Sequence, residues 1–149
     1  MTEHYYEVDV NWNKDRQGIL CSPELNQDGM NCIEVATPPE FPKGIPGIWS
    51  PEHLFTAAVS SCLMTTFLSI AENSKLAFVN FTCKSKGKLE QVEGKFLMTE
   101  VILEPTVTIA DEKDRERTER VLQKSEAACL ISNSIKSKVT MIATIEIDS

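Results

Sequence analysis

Five cysteines hold most of the chemical potential of this chain, and their surroundings differ. A thiol acts as a nucleophile only as the thiolate, so each is judged by what could ionise it. Cys62 sits in SPEHLFTAAVSSCLMTTFLSIAE, inside a stretch with no formal charge from Leu54 to Ala71. Cys129 follows Val121 and Ser125 at i, i+4, i+8, which puts it on the inward stripe of a second helical segment. Cys83 alternates with Val79 and Phe81 on the apolar side of a strand pattern and reads as inert core. Cys21 and Cys32 lie in short strand-like segments where nothing recommends either. An odd count with no CxxC pair and only two histidines argues against a disulfide framework or a Cys/His zinc site, and fits a reducing cytosol. On pattern alone, Cys62 and Cys129 read as two buried structural thiols.

The elements that position these thiols can be read from periodicity. Segments 5–12, 18–21 and 32–35 look like short strands, with Asp28-Gly29 as a hairpin turn. The stretch 36–47 carries four of the seven prolines and is expected to be an irregular loop. Ser50-Pro51-Glu52 supplies an N-cap, a proline at the first helical position and an acid in the first turn, for a helix running to about residue 73. An alternating strand over 78–89, a Glu93-Gly94 turn and a second strand follow, with Leu97, Val101, Leu103, Val107 and Ile109 on one face and Pro105 marking a bulge or edge. Asp111 opens the second helix, whose charged first half reads as a solvated face with Arg115–Glu119 and Glu116–Arg120 pairs. A single closing strand would turn Val139, Met141, Ala143, Ile145 and Ile147 inward. This order predicts one α+β domain over 1–149 with a largely antiparallel sheet.

Composition narrows the function. With 15 basic and 22 acidic residues, the net charge of −7 disfavours binding nucleic acid or an anionic membrane. The charge-free helix holds six Ser or Thr residues and lacks a flanking basic cluster, so it reads as a core helix rather than a membrane span. No signal peptide is visible, so the expected location is cytoplasmic. His53 invites a Cys–His pairing with Cys62, but nine helical residues separate them by about 13 Å along the axis.

The segment PEHLFTAAVSSC, followed 67 residues after Cys62 by Cys129 in EAACLISNSI, closely resembles the OsmC/Ohr family of thiol peroxidases. The family's PE-x-L-f segment, its cysteine about ten residues on, and its later C-P-[IV]-S-[NR] segment map onto Pro51-Glu52-His53-Leu54-Phe55, Cys62 and Cys129-Leu130-Ile131-Ser132-Asn133. The departure is Leu130, where proline is usual, and a looser backbone beside Cys129 is the expected result. The resemblance implies an OsmC-like fold with two long helices in an intertwined homodimer. It also implies reduction of organic hydroperoxides by Cys62, resolution by a Cys62–Cys129 disulfide, and recycling by a dithiol such as a lipoylated protein, with no metal or cofactor. The apolar pocket is expected around Phe55, Leu63, Met64 and Phe67. The rival reading is an OsmC-like ligand-binding or structural domain whose thiols are incidental.

The chemistry implied needs a cation near Cys62, which lies too deep in its helix for the dipole to help and whose apolar neighbours would raise its pKa. The family uses an N-terminal arginine held by the glutamate of the PE segment. Three of the four arginines (Arg115, Arg117, Arg120) belong to the charged helix, which leaves Arg16, with Glu52 as its partner and Lys14 as the substitute. Glu52 and Cys62 are ten residues apart, about 15 Å and roughly 80° around an unbroken helix, so the expected site combines two subunits.

Overall fold

A computed structural model of the chain describes residues 2–25 and 31–148, so the expected Asp28-Gly29 turn lies outside the described residues. The chain divides into two compact units, 1–54 and 55–149.

In the first unit, β1 (Asp9–Lys14), β2 (Gln17–Cys21) and β3 (Ile33–Ala36) form an antiparallel sheet in that order. Pairing of Lys14 with Gln17 leaves Asp15-Arg16 as a two-residue turn, and Asp15 takes the positive φ of 47° that so tight a hairpin requires. The proline-rich stretch that follows forms turns, as expected, and reaches Ser50. The Ser50 hydroxyl accepts from the His53 amide at 3.2 Å, so it does cap the first helix. His53 completes the cap: its Nδ1 accepts from the Ser50 amide at 3.3 Å and lies 2.7 Å from the Ser50 hydroxyl. That occupies the imidazole in place of the capping-box glutamate.

The helix so capped, α1, runs unbroken over Pro51–Asn73. Its length and apolarity would suffice to cross a membrane. Instead, Val59, Leu63, Phe67 and Ala71 form a buried i, i+4 stripe within the second unit, and Met64 and Leu68 stay exposed on another face. The stripe packs on a sheet built from β4 (Asn80–Val92) and β5 (Lys95–Ile109), an antiparallel pair turned by Glu93-Gly94, both at positive φ. Alternation along β5 buries Val101, Leu103, Val107 and Ile109 against α1, while Leu97 is exposed. Phe67 is fully enclosed, its ring 5.2 Å from that of Phe78 and 4.9 Å from that of Phe81.

After β5, Asp111 caps a short 3₁₀ turn by accepting from the Lys113 amide, and α2 follows over Arg115–Ala128. Its inward residues are Thr118, Val121, Leu122 and Ser125. Arg115 turns back to Glu112 at 2.6 Å rather than forward to Glu119.

The closing segment corrects the expectation of a single strand. It is split into β6 (Lys138–Met141) and β7 (Thr144–Ile147), and both run parallel to β5. A 14-residue helix carries the chain back along the sheet before it re-enters, so the returning strands must be parallel to the one that left. The split leaves Ala143 exposed and Ile147 at 40% exposure, so only Val139, Met141 and Ile145 face inward. Pro105 is neither bulge nor edge: it pairs in register with Cys83 and falls in the gap between the β6 and β7 pairings, where a missing N–H costs no ladder bond. The bulge of this hairpin lies at Lys88/Leu89.

Candidate functional site

The second unit brings Cys62 and Cys129 together as free thiols. Cys62 occupies the middle of α1, one residue before the buried Leu63, and is partly buried. Cys129 is the C-cap of α2 and is 1% exposed, so the inward position read from its spacing is where the helix places it. The Cys129 thiol donates to the Cys62 sulfur.

Three further donors converge on Cys62. The amides of Ile131 and Leu130, in the turn after α2, both point at its sulfur, and the Thr66 hydroxyl lies 3.9 Å away on the next turn of α1. Partial burial is the largest single influence and raises the Cys62 pKa. The donors from Ile131, Cys129, Thr66 and Leu130 outweigh it together, so the Cys62 pKa lies below the ordinary thiol value. Cys129 moves the other way. Burial pushes its pKa up, and the neighbouring Cys62 sulfur adds to that, against an opposing pull from the Ser132 hydroxyl and amide. The same surroundings thus lower the pKa of one thiol and raise that of its neighbour.

The turn that supplies these amides is well held. The Cys129 amide donates to the Glu126 carbonyl at 3.3 Å, the Asn133 amide to the Cys129 carbonyl at 3.0 Å, and the Ser134 amide to the Ile131 carbonyl at 3.0 Å. The Ser134 hydroxyl donates to the Leu130 carbonyl at 2.8 Å, and Asn133 Nδ2 to the Ala127 carbonyl at 3.0 Å. With residues 129, 133 and 134 closing the turn, the amides between them remain to face the sulfurs. Sequence reasoning asked for a cation and missed these neutral donors. Only Thr66, at i+4 from Cys62 on the helix, could have been read from spacing.

Arg16 and Glu52 belong to the first unit, where both line a cavity of about 540 Å³. Arg16 is the second residue of the β1–β2 turn, and its carbonyl accepts from the Thr37 amide at 3.2 Å. Glu52 stands in the first turn of α1, partly buried. Val10, Trp12, Val35 and Phe41 make the rest of that cavity largely apolar. Of the residues expected around an apolar pocket, Leu63 and Phe67 are fully enclosed in the core, Phe55 is partly buried and Met64 is exposed. Cys83 is partly buried beside the core, its sulfur 3.5 Å from the Ser85 hydroxyl. Cys21 and Cys32, set aside in the sequence, are joined by a disulfide. Among the described residues, no three or more His, Cys, Asp or Glu side chains cluster in a way that could hold a metal ion.

Residues 44–144 match the family model described as OsmC-like protein. The uncharacterized protein YmaD of Bacillus subtilis is 22% identical over 144 residues, spanning 95% of this chain and 93% of its own length. A solved OsmC-like protein of unknown function from Vibrio cholerae superposes with a TM-score of 0.81 at 24% identity, over 95% of this chain and 99% of its own. An organic hydroperoxide resistance protein OsmC from Legionella pneumophila does so with a TM-score of 0.75 at 20% identity, over 99% and 100% of the two chains.

Proposed function

This chain belongs to the OsmC-like protein family, and from that premise we propose that it is a cysteine-based peroxidase that reduces organic hydroperoxides to alcohols. The observation that carries the reading is the set of donors around Cys62: two backbone amides, a hydroxyl and the Cys129 thiol all favour its thiolate. That thiolate attacks the outer peroxide oxygen, the O–O bond breaks, and the alkoxide leaves to be protonated as the alcohol. Cys62 is left as the sulfenic acid. Cys129 then attacks the sulfenic sulfur, water departs, and a Cys62–Cys129 disulfide forms before further oxidation. A dithiol restores both thiols at the expense of its own disulfide. Such a cycle suits a reducing compartment such as the cytoplasm.

The proposed roles of Arg16 and Glu52 require a homodimer. α1 has no break between Glu52 and Cys62, so a glutamate that holds the arginine facing Cys62 is supplied by a second copy of the chain. The exposed apolar residues support this: Val10 and Trp12 on β1 are 65% and 77% exposed, and Met64 and Leu68 on α1 are 39% and 41% exposed. Patches of this kind are what a symmetric partner covers. Arg16 would then steady the developing negative charge, and its apolar neighbours would receive the organic part of the peroxide.

The test is peroxide consumption by the fully reduced protein, with cumene hydroperoxide against hydrogen peroxide as oxidant and dithiothreitol or dihydrolipoamide as reductant. Faster turnover of the organic peroxide, lost in Cys62→Ser, is expected. Consumption unchanged in Cys62→Ser would dismiss the reading and favour an OsmC-like binding domain with incidental thiols.

A further inference from the structure

The Cys21–Cys32 pair stands outside this cycle, and its place in the sheet suggests work of its own. Leu20 pairs with Ile33 in the β2–β3 ladder, so the next rung sets Cys21 opposite Cys32. Their Cα atoms are 4.4 Å apart, which is the spacing of a directly opposed, non-hydrogen-bonded antiparallel pair, about 4.5 Å. Four ladder pairs, from Gln17–Ala36 to Leu20–Ile33, hold this register without help from the sulfurs. Breaking the S–S bond would therefore leave the two thiols side by side, and closing it again is an intramolecular event at high effective concentration. Both cysteines are partly exposed and belong to neither hydrophobic cluster of the protein. Asp9, the residue across from Cys21 on β1, is exposed. A bond so placed is within reach of a thiolate.

We propose that Cys21 and Cys32 form a second thiol–disulfide exchange site, which takes two electrons from a small dithiol and returns them to an oxidant independently of Cys62 and Cys129. In the reducing direction, a thiolate of the dithiol attacks one cysteine sulfur, the Cys21–Cys32 bond breaks, and the other cysteine leaves as thiolate. The ladder keeps that thiolate beside the mixed disulfide, ready to attack back. A monothiol therefore loses this competition. A dithiol wins it, because its second thiol attacks the mixed disulfide, closes its own S–S bond and expels the protein sulfur. The dithiol is oxidised, the protein pair is reduced, and the two protons of the reductant end on Cys21 and Cys32. The oxidised form of the dithiol, with its own S–S bond as the acceptor, reverses every step.

The test uses the full chain as Cys62→Ser/Cys83→Ser/Cys129→Ser, which keeps only this pair and removes the proposed peroxidatic chemistry altogether. Its outcome is thus independent of whether the protein is a peroxidase. Alkylatable thiols are counted by intact mass after equilibration in mixtures of reduced and oxidised dithiothreitol, and again in glutathione at the same total thiol concentration. The expected result is a reversible change between none and two thiols in the dithiol mixtures under native conditions, with little opening by glutathione. Peptide mapping of the wild-type chain should show the same change at Cys21 and Cys32, which guards against a fold disturbed by the serines. A bond that opens only in denaturant would make the pair a structural staple and overturn the proposal. Two thiols that never close under oxidant would overturn it as well, and so would equal opening by dithiol and monothiol.

Discussion

Replacing Leu130 by proline removes one backbone N–H aimed at Cys62 and little else. The Leu130 side chain is 69% exposed, so its loss disturbs no core. The residue before it, Cys129, has φ −62° and ψ 112°, an extended conformation compatible with a following proline. A hydrogen bond to a charged group contributes about 1.5–3 kcal/mol when well formed. The Leu130 amide is the weakest of the four donors, and Cys62 is only partly buried, so a share of about 1 kcal/mol is reasonable here. That is about a five-fold fall in thiolate population at a pH below the Cys62 titration. The assay follows thiolate absorbance and peptide-resolved iodoacetamide alkylation of Cys62 across pH. Leu130→Pro should shift the Cys62 titration upward and slow its alkylation at neutral pH about five-fold, while Leu130→Ala, which keeps the amide, should match the wild type. The amide account is refuted if proline and alanine behave alike.

Thr66→Val, a near-isosteric loss of the hydroxyl 3.9 Å from Cys62, should have at least as large an effect in the same assay, about five-fold from the loss of roughly 1 kcal/mol. Because Cys62 is shifted down and Cys129 up, alkylation on a rising pH scale should begin at Cys62 and reach Cys129 only at higher pH; the reverse order would contradict the assignment of nucleophile. Phe67→Ala empties the fully enclosed site between Phe78 and Phe81 and should cost about 3–5 kcal/mol in urea unfolding. Mixing Cys62→Ser chains with Arg16→Ala chains should restore peroxidase activity through one complete site per heterodimer, and subunits shown to exchange without recovery would eliminate the shared site.

Local features were legible because local residues determine them. The Ser50 cap, the end of α1 near Asn73, the Glu93-Gly94 turn and the buried alternation of Val101, Leu103, Val107 and Ile109 all follow from spacing and turn chemistry. The direction of β6 and β7 was not legible, because an alternating segment looks the same whichever way it joins a sheet. Register explains the other surprise. Whether Cys21 faces Cys32 depends on how two strands align, and neither cysteine is marked by its own neighbours. The site divides along the same line. Cys62 and Cys129 stood out by helix position and by their motif, whereas the donors that favour the thiolate are main-chain amides of Leu130 and Ile131, which no side-chain pattern reveals.

The most direct measurement of the central claim gives the fully reduced protein one equivalent of cumene hydroperoxide, quenches by rapid alkylation, and maps every cysteine by peptide mass spectrometry. The account predicts one alcohol formed per chain and a new Cys62–Cys129 disulfide, with Cys83 still alkylated as the free thiol. Peroxide left unconsumed while Cys62 stays fully alkylatable, or oxidation that falls on Cys83 and spares Cys62, would contradict it.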